Sequence, residues 1–124
     1  MKFATWTFRL AGLYGLLVLI PMLFLEGTIA TMAPPAITHP EYFYGFALVG
    51  IAWQVAFLII STDPVRYRPL MLPAALLEKA PFGIAAAVMY SQQRIPASVA
   101  GLAAVDFVWA ALFAIAAARV RRSA

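Results

Sequence analysis

The sequence contains no cysteine, one histidine and few charged residues for its length. Without cysteine, the chain has no disulfide, no thiolate metal ligand and no thiol redox centre. A lone imidazole, His39, does not supply the paired ligands of a haem or the usual ligand set of a zinc site. The sequence also lacks a Ser-His-Asp set, a phosphate-binding loop and a nucleotide-binding fingerprint. We therefore predict no metal and no cofactor, and the familiar enzyme classes are excluded.

The composition is that of a membrane protein. Hydrophobic residues make up 65% of the 124 residues and charged residues only 11%. Soluble domains are about half apolar and about a quarter charged, because a small globule has a large surface to cover with polar groups. The net charge of +4 does not indicate nucleic-acid binding, since the basic residues are scattered singly between apolar stretches. We predict an all-α integral membrane protein.

Four apolar stretches are long enough to cross a bilayer as helices, which requires about 20 residues each. The predicted spans are residues 10–25, 42–60, 70–90 and 97–118, and together they form a single transmembrane domain over residues 1–124. Helices in lipid associate through close contact of small residues. The contacts predicted on this ground lie at Gly12 and Gly15 in the first span and at Ala110, Ala114 and Ala118 in the fourth.

Proline residues affect the loop between the first two spans and the third span itself. Between the first two spans, the prolines within residues 26–40 predict an extended path with a turn, and the second helix is expected to begin near Pro40. Pro73 and Pro81 are expected to bend the third span. The amino-terminal segment resembles a secretory signal, but we expect it to be retained, because its removal would unbalance the distribution of charge.

The basic residues predict the orientation in the membrane. Lysines and arginines near span ends favour the cytoplasmic side. Only Arg94 falls on the opposite side from the seven others, which are Lys2, Arg9, Arg66, Arg68, Arg119, Arg121 and Arg122. This bias predicts a multi-pass protein of the bacterial cytoplasmic (inner) membrane with both termini in the cytoplasm. Arg66 and Arg68 flank a tyrosine, and we expect them to contact lipid headgroups.

Polar residues recur at similar depths within the spans. At about 1.5 Å per residue from the cytoplasmic end, Gln54 lies roughly 9 Å deep, Glu78 roughly 12 Å and Asp106 roughly 18 Å. Hydrocarbon does not tolerate such groups singly, so we expect them to converge in the bundle interior. Lys79 is expected to pair with Asp106 or Glu78, and Gln54 and Tyr14 to satisfy the remaining polar groups. This network would at least fix which helices are neighbours.

Three functions are compatible with this polar centre. The leading hypothesis is a protein without catalytic activity that binds a lipid-like or small hydrophobic molecule, or that packs as an accessory subunit of a membrane complex. The alternatives are an intramembrane isomerase that uses Glu78 and Asp106 as an acid and base pair, and a proton-coupled or cation-conducting homo-oligomer. The predicted ligand-binding residues are Gln54, Glu78, Lys79 and Asp106, lined by Tyr14, Trp53, Phe57 and Trp109.

Several stretches between Pro40 and Asp106 carry a resemblance. They are the segments 39–46, 53–54, 63–69 and 77–79, which read HPEYFYGF, WQ, DPVRYRP and LEK. In these segments the chain resembles small four-span inner-membrane proteins of bacteria, which implies the four-span layout and no particular activity. The plan of four helices with buried acids and aromatic residues also resembles the emopamil-binding class of sterol isomerases and ligand-binding proteins. No motif of that class is matched residue by residue, so the resemblance transfers no site.

Overall fold

The computed structural model describes residues 2–123 and the side chains of residues 2–121, so the side chain of Arg122 lies outside the described part. This part of the chain forms five helices, α1 (Lys2–Met22), α2 (Glu26–Met32), α3 (Pro40–Thr62), α4 (Arg68–Ser91) and α5 (Ala97–Ser123). All except α2 are long and apolar enough to span a membrane. The chain is therefore an all-α, multi-pass membrane protein with four candidate spans, as predicted.

Helix α1 begins and ends earlier than the predicted span 10–25. Its amino-terminal turns are helical because Phe8 and its neighbours pack into the bundle. Pro21 lies in the last turn, and the following hydrogen bonds shorten to three-residue steps, with the Leu23 N–H 3.1 Å from the Ile20 carbonyl. The helix ends at Met22, three residues before the predicted boundary.

The extended path predicted for residues 26–40 is wrong in its first half, which forms helix α2. The three prolines lie after this helix and therefore do not prevent it from forming. The Tyr44 hydroxyl donates a 2.8 Å hydrogen bond to Glu26 Oε2 and ties α2 to the start of α3. Pro40 occupies the first turn of α3, as predicted for a residue without an N–H.

Helix α4 is irregular at the position of its charged residues. A π-helical segment runs over Ala74–Lys79, between Pro73 and Pro81. Each proline removes one backbone donor, and a π-helix accommodates this by connecting each N–H to a carbonyl five residues earlier. The two prolines predicted to bend the span therefore flank a widened turn that contains Glu78 and Lys79.

The helices are arranged around the bundle in the order α3, α1, α5, α4. Helix α1 packs along α3, α5 packs along α4, and α1 also contacts α5. Phe8 stacks on Phe113 with ring centroids 4.2 Å apart, and the Phe57 ring meets Phe113 edge-on at 4.9 Å. By contrast, the backbones of α3 and α4 hardly approach each other, and the Phe46 and Phe82 rings meet across the seam at 5.5 Å.

Two glycines let α1 approach α3 closely, as predicted. A Cβ atom at Gly12 would lie 2.8 Å from Leu58 Cγ and 2.9 Å from the Gln54 carbonyl oxygen. A Cβ atom at Gly15 would overlap the Gln54 side-chain amide. The prediction for the fourth span is wrong at Ala118, which is exposed, because the buried face of α5 passes instead through positions such as Ala117.

Most basic side chains gather at one end of the bundle. The Arg119 guanidinium lies 4.4 Å over the Phe3 ring, and Arg68 Nε donates a 3.0 Å hydrogen bond to the Ala117 carbonyl. These contacts place the start of α1, the start of α4 and the last turns of α5 at the same end. Among the described side chains, this basic end comprises Lys2, Arg9, Arg66, Arg68, Arg119 and Arg121, with Asp63 as its acidic residue.

Candidate functional site

A buried cluster of three charged side chains joins α4 to α5. Lys79 Nζ lies 3.7 Å from Glu78 Oε2 and 3.9 Å from Asp106 Oδ1. The Lys79 side chain is only 5% exposed, whereas Glu78 is 15% and Asp106 21% exposed. The pairing predicted for Lys79 is therefore present, and it involves both acids at once. We call these three residues the Lys79 cluster.

The π-helical segment explains how two consecutive residues reach the same cluster. In a regular α-helix, Glu78 and Lys79 would point about 100° apart. A π-helix has more residues in each turn, so the angle between successive side chains is smaller. Glu78 and Lys79 both lie in this segment, and both contribute to an ion pair on the inner side of α4.

Helix α3 contributes an aromatic wall to the Lys79 cluster. Lys79 Nζ lies 5.3 Å from the centroid of the Phe57 ring, within the range of a cation–π interaction. Phe57 is fully buried, and the Trp53 ring lies 6.1 Å from it. One of the predicted lining residues, Phe57, therefore lies beside the ammonium group, and Trp53 packs behind it. Lys79 connects α4 to α3 as well as to α5.

The ion pairs of the cluster leave polar atoms without hydrogen bonds. Both nitrogen–oxygen distances exceed the roughly 3.2 Å limit of a good hydrogen bond. Glu78 Oε2 is buried and accepts no hydrogen bond from any described residue. Buried polar atoms in proteins nearly always have such a partner. The Lys79 cluster can therefore accept a further donor.

Gln54 does not complete the cluster, which corrects one of the predictions. Its Nε2 atom donates a 3.0 Å hydrogen bond to the Gly50 carbonyl within α3, and its side chain lies against Gly15 of α1. Its Oε1 atom is buried without a hydrogen-bond donor among the described residues. Gly15 makes room for the Gln54 amide at the α1–α3 contact. The depth of Gln54 in the membrane therefore agrees with the prediction, but the direction of its side chain does not.

Tyr14 and Trp109 form an aromatic pair of their own. Their ring centroids lie 5.9 Å apart, and Trp109 also packs against Phe113 at 6.2 Å. The Trp109 Nε1 donor is buried without an acceptor in the described chain. Tyr14 makes no hydrogen bond to the Lys79 cluster, so the prediction that it satisfies the charged groups is wrong. The pair instead fills the contact between α1 and α5.

The polar residues outside the spans form small local contacts. At the basic end, the Arg66 guanidinium lies 5.5 Å over the Tyr67 ring, and the Arg66 backbone N–H donates to Asp63 Oδ1 at 3.2 Å. At the other end, His39 Nδ1 lies 3.1 Å from Glu41 Oε1. Within the described residues, no three His, Asp or Glu side chains come together in a way that could hold a metal ion.

Comparisons with protein-family models, with curated proteins and with solved structures find no match to this chain. The Lys79 cluster is the strongest candidate site, because it places two acids and a lysine inside the membrane-spanning bundle, where ionisable groups are costly and usually functional.

Proposed function

We propose that the protein is a non-catalytic binding protein of the bacterial cytoplasmic membrane that holds a small amphipathic molecule at the Lys79 cluster. The observation that carries the proposal is that Glu78 Oε2 is buried and accepts no hydrogen bond from the described residues, while its ion-pair partner, the Lys79 ammonium, lies 3.7 Å away. A hydroxyl or amine donor on the ligand would satisfy this oxygen. The apolar remainder of the ligand would lie between helices.

The charges of the cluster favour a donor as the polar group of the ligand. With all three residues ionised, two carboxylates and one ammonium sum to −1. A protonated amine would neutralise this charge, and a hydroxyl would donate a hydrogen bond to Glu78 Oε2. Electrostatic interactions and hydrogen bonds are strong in a site shielded from water. An anionic group would instead add a third negative charge.

The seam between α3 and α4 offers the ligand a route from the bilayer. The backbones of these helices are separated, and side chains such as Phe46 and Phe82 close the space between them. Phe57, which lies beside the Lys79 ammonium, and Trp53, which packs against Phe57, would contact an apolar body. Ligand sites with mostly apolar walls and a few convergent polar groups are common between the helices of bundles.

The geometry gives less support to the two alternative functions. A general acid and base pair needs each carboxyl directed at the substrate, whereas Glu78 and Asp106 both face the Lys79 ammonium. A cation pathway needs a polar route across the bundle, and the described helix contacts around Phe57 and Phe113 are aromatic. Packing as an accessory subunit is compatible with ligand binding, because much of α3 and α5 faces outward.

The proposed orientation places the basic end in the cytoplasm. The described side chains of this end include six basic residues and one acid, Asp63, whereas Arg94 lies at the opposite end with Glu26 and Glu41. Positive charge concentrates on the cytoplasmic side of membrane proteins. Both termini are then cytoplasmic, because α1 begins and α5 ends at the basic end.

The proposal predicts that the purified protein retains a small amphipathic molecule bearing a hydroxyl or amine. Extraction from mild detergent and mass spectrometry should detect it in the wild type, and Glu78→Gln should reduce it by about tenfold or more, because a hydrogen bond to a buried charged group contributes about 1.5–3 kcal/mol. Glu41→Gln makes the same chemical change at an exposed site and should retain the molecule. Equal amounts in both variants, or none in the wild type, would contradict the proposal.

A further inference from the structure

A groove at the basic end lies apart from the Lys79 cluster. It runs between the start of α4 and the last turns of α5 and has a volume of about 530 Å³. Its walls combine apolar and small side chains with two arginines: Arg68, Leu72, Ala114, Ala117, Ala118 and Arg121. The groove is thus apolar along the helices and positively charged at its mouth.

The Arg68 guanidinium is fixed in place and still has free donors. Its Nε atom donates to the Ala117 carbonyl at 3.0 Å, which holds the group across the α4–α5 contact. A guanidinium has five N–H donors, and the other four make no hydrogen bond with the described residues. Planar N–H groups in this arrangement suit the oxygens of a phosphate, which they can bind through two parallel hydrogen bonds.

The charge around the groove is uncompensated within the described chain. Arg121 lines the groove, is exposed and has no ion pair with a described side chain. Asp63, the acidic residue of this end, accepts the Arg66 backbone N–H instead. Two guanidinium groups beside an apolar groove can therefore bind an anion, and the groove lies near the helix ends, where headgroups are found.

We infer that this groove binds one anionic phospholipid, with its phosphate between Arg68 and Arg121 and an acyl chain along Leu72, Ala114 and Ala118. The complementarity is twofold, since the mouth is cationic and the walls are apolar. A free phosphate would use only the mouth. The site is independent of the ligand proposed for the Lys79 cluster, so either proposal can fail without the other.

Native mass spectrometry of the detergent-solubilised protein tests this inference with phosphatidylglycerol, phosphatidylcholine and inorganic phosphate as probes. We expect one phosphatidylglycerol to bind in preference to phosphatidylcholine. Arg121→Gln should weaken its binding about fivefold, because each basic residue near an anionic headgroup contributes about 1 kcal/mol. Arg94→Gln removes the same charge at the opposite end and should leave binding unchanged.

A second variant separates a lipid from a free anion. Ala118→Phe fills the exposed apolar wall of the groove and keeps both arginines, so it should reduce phosphatidylglycerol binding as well. Three results would overturn the inference: equal binding of phosphatidylcholine, an equal loss in Arg94→Gln, or displacement by inorganic phosphate together with unchanged binding in Ala118→Phe. Because Arg121 and Ala118 are both exposed, neither test depends on altering a buried contact.

Discussion

Replacing Lys79 with methionine should be the most destabilising single change in the Lys79 cluster. The substitution keeps a long side chain of similar shape and removes the ammonium that separates Glu78 from Asp106. Two carboxylates then remain inside the bundle without a counter-charge. Removing one partner of a buried ion pair usually costs about 3–5 kcal/mol, and we expect a loss of this size in the free energy of unfolding, because the exposed part of each acid faces hydrocarbon and not water.

Two variants distinguish lost charge balance from lost packing. Asp106→Asn keeps the pair of Lys79 with Glu78 and should cost only about 1 kcal/mol, the scale of an interhelical polar link. The triple variant Lys79→Met, Glu78→Gln, Asp106→Asn has no buried charge in the cluster and should recover most of the lost stability. Unfolding in mixed detergent and SDS micelles gives these energies. A triple variant as unstable as Lys79→Met would contradict the explanation by charge.

The second large effect is expected at Gly12, where α1 lies against the backbone of α3. A methyl group there would press against the Leu58 side chain and the Gln54 carbonyl oxygen, at 2.8 and 2.9 Å. The carbonyl belongs to the backbone of α3 and moves only if the helices separate. Overpacking of this kind costs about 1–3 kcal/mol, so Gly12→Ala should lower the free energy of unfolding by about 2 kcal/mol.

Gly15 and Gly45 supply the comparisons for this prediction. At Gly15 the obstacle is the Gln54 side chain, so the cost of Gly15→Ala should largely disappear in a Gln54→Ala background, whereas the cost of Gly12→Ala should persist. At Gly45 no atom lies within 4 Å of the added methyl group, and Gly45→Ala should not destabilise the protein. Equal costs at Gly12 and Gly45 would show that α1 and α3 are not in the described contact.

The sequence was informative where a single physical requirement decides the structure. The hydrocarbon thickness requires about 20 apolar residues in each span, and all four spans were found, although α1 is displaced towards the amino terminus. The cost of an unpaired charge in lipid predicted that Lys79 pairs with acids, and the structure pairs it with both Glu78 and Asp106. The number of spans and the pairing of Lys79 follow from the hydrocarbon environment and not from the details of side-chain packing.

The features that the sequence does not predict are the direction of a side chain and local departures of the backbone from the expected path. Gln54 has the expected depth, but the notch at Gly15 accommodates its amide at the α1–α3 contact. Helix α2 can form because all the prolines between α1 and α3 come after Met32. The number of prolines in this loop does not reveal that its first half is free of them. The π-helical segment was also missed, although two prolines eight positions apart around a charged pair could have indicated an irregular turn.

The central claim is that the Lys79 side chain is enclosed inside the bundle between Glu78 and Asp106, and amine labelling tests it directly. Lys79 and Lys2 are the two lysines of the chain, so mass spectrometry can assign each modification. The reagent is an apolar amine-reactive ester dissolved in the membrane. A lysine that faced acyl chains would be accessible to this reagent and would react readily. We expect wild-type Lys79 to resist modification and to react several-fold faster in the double variant Glu78→Gln, Asp106→Asn. Rapid modification of wild-type Lys79, at the rate seen in the double variant, would contradict the account.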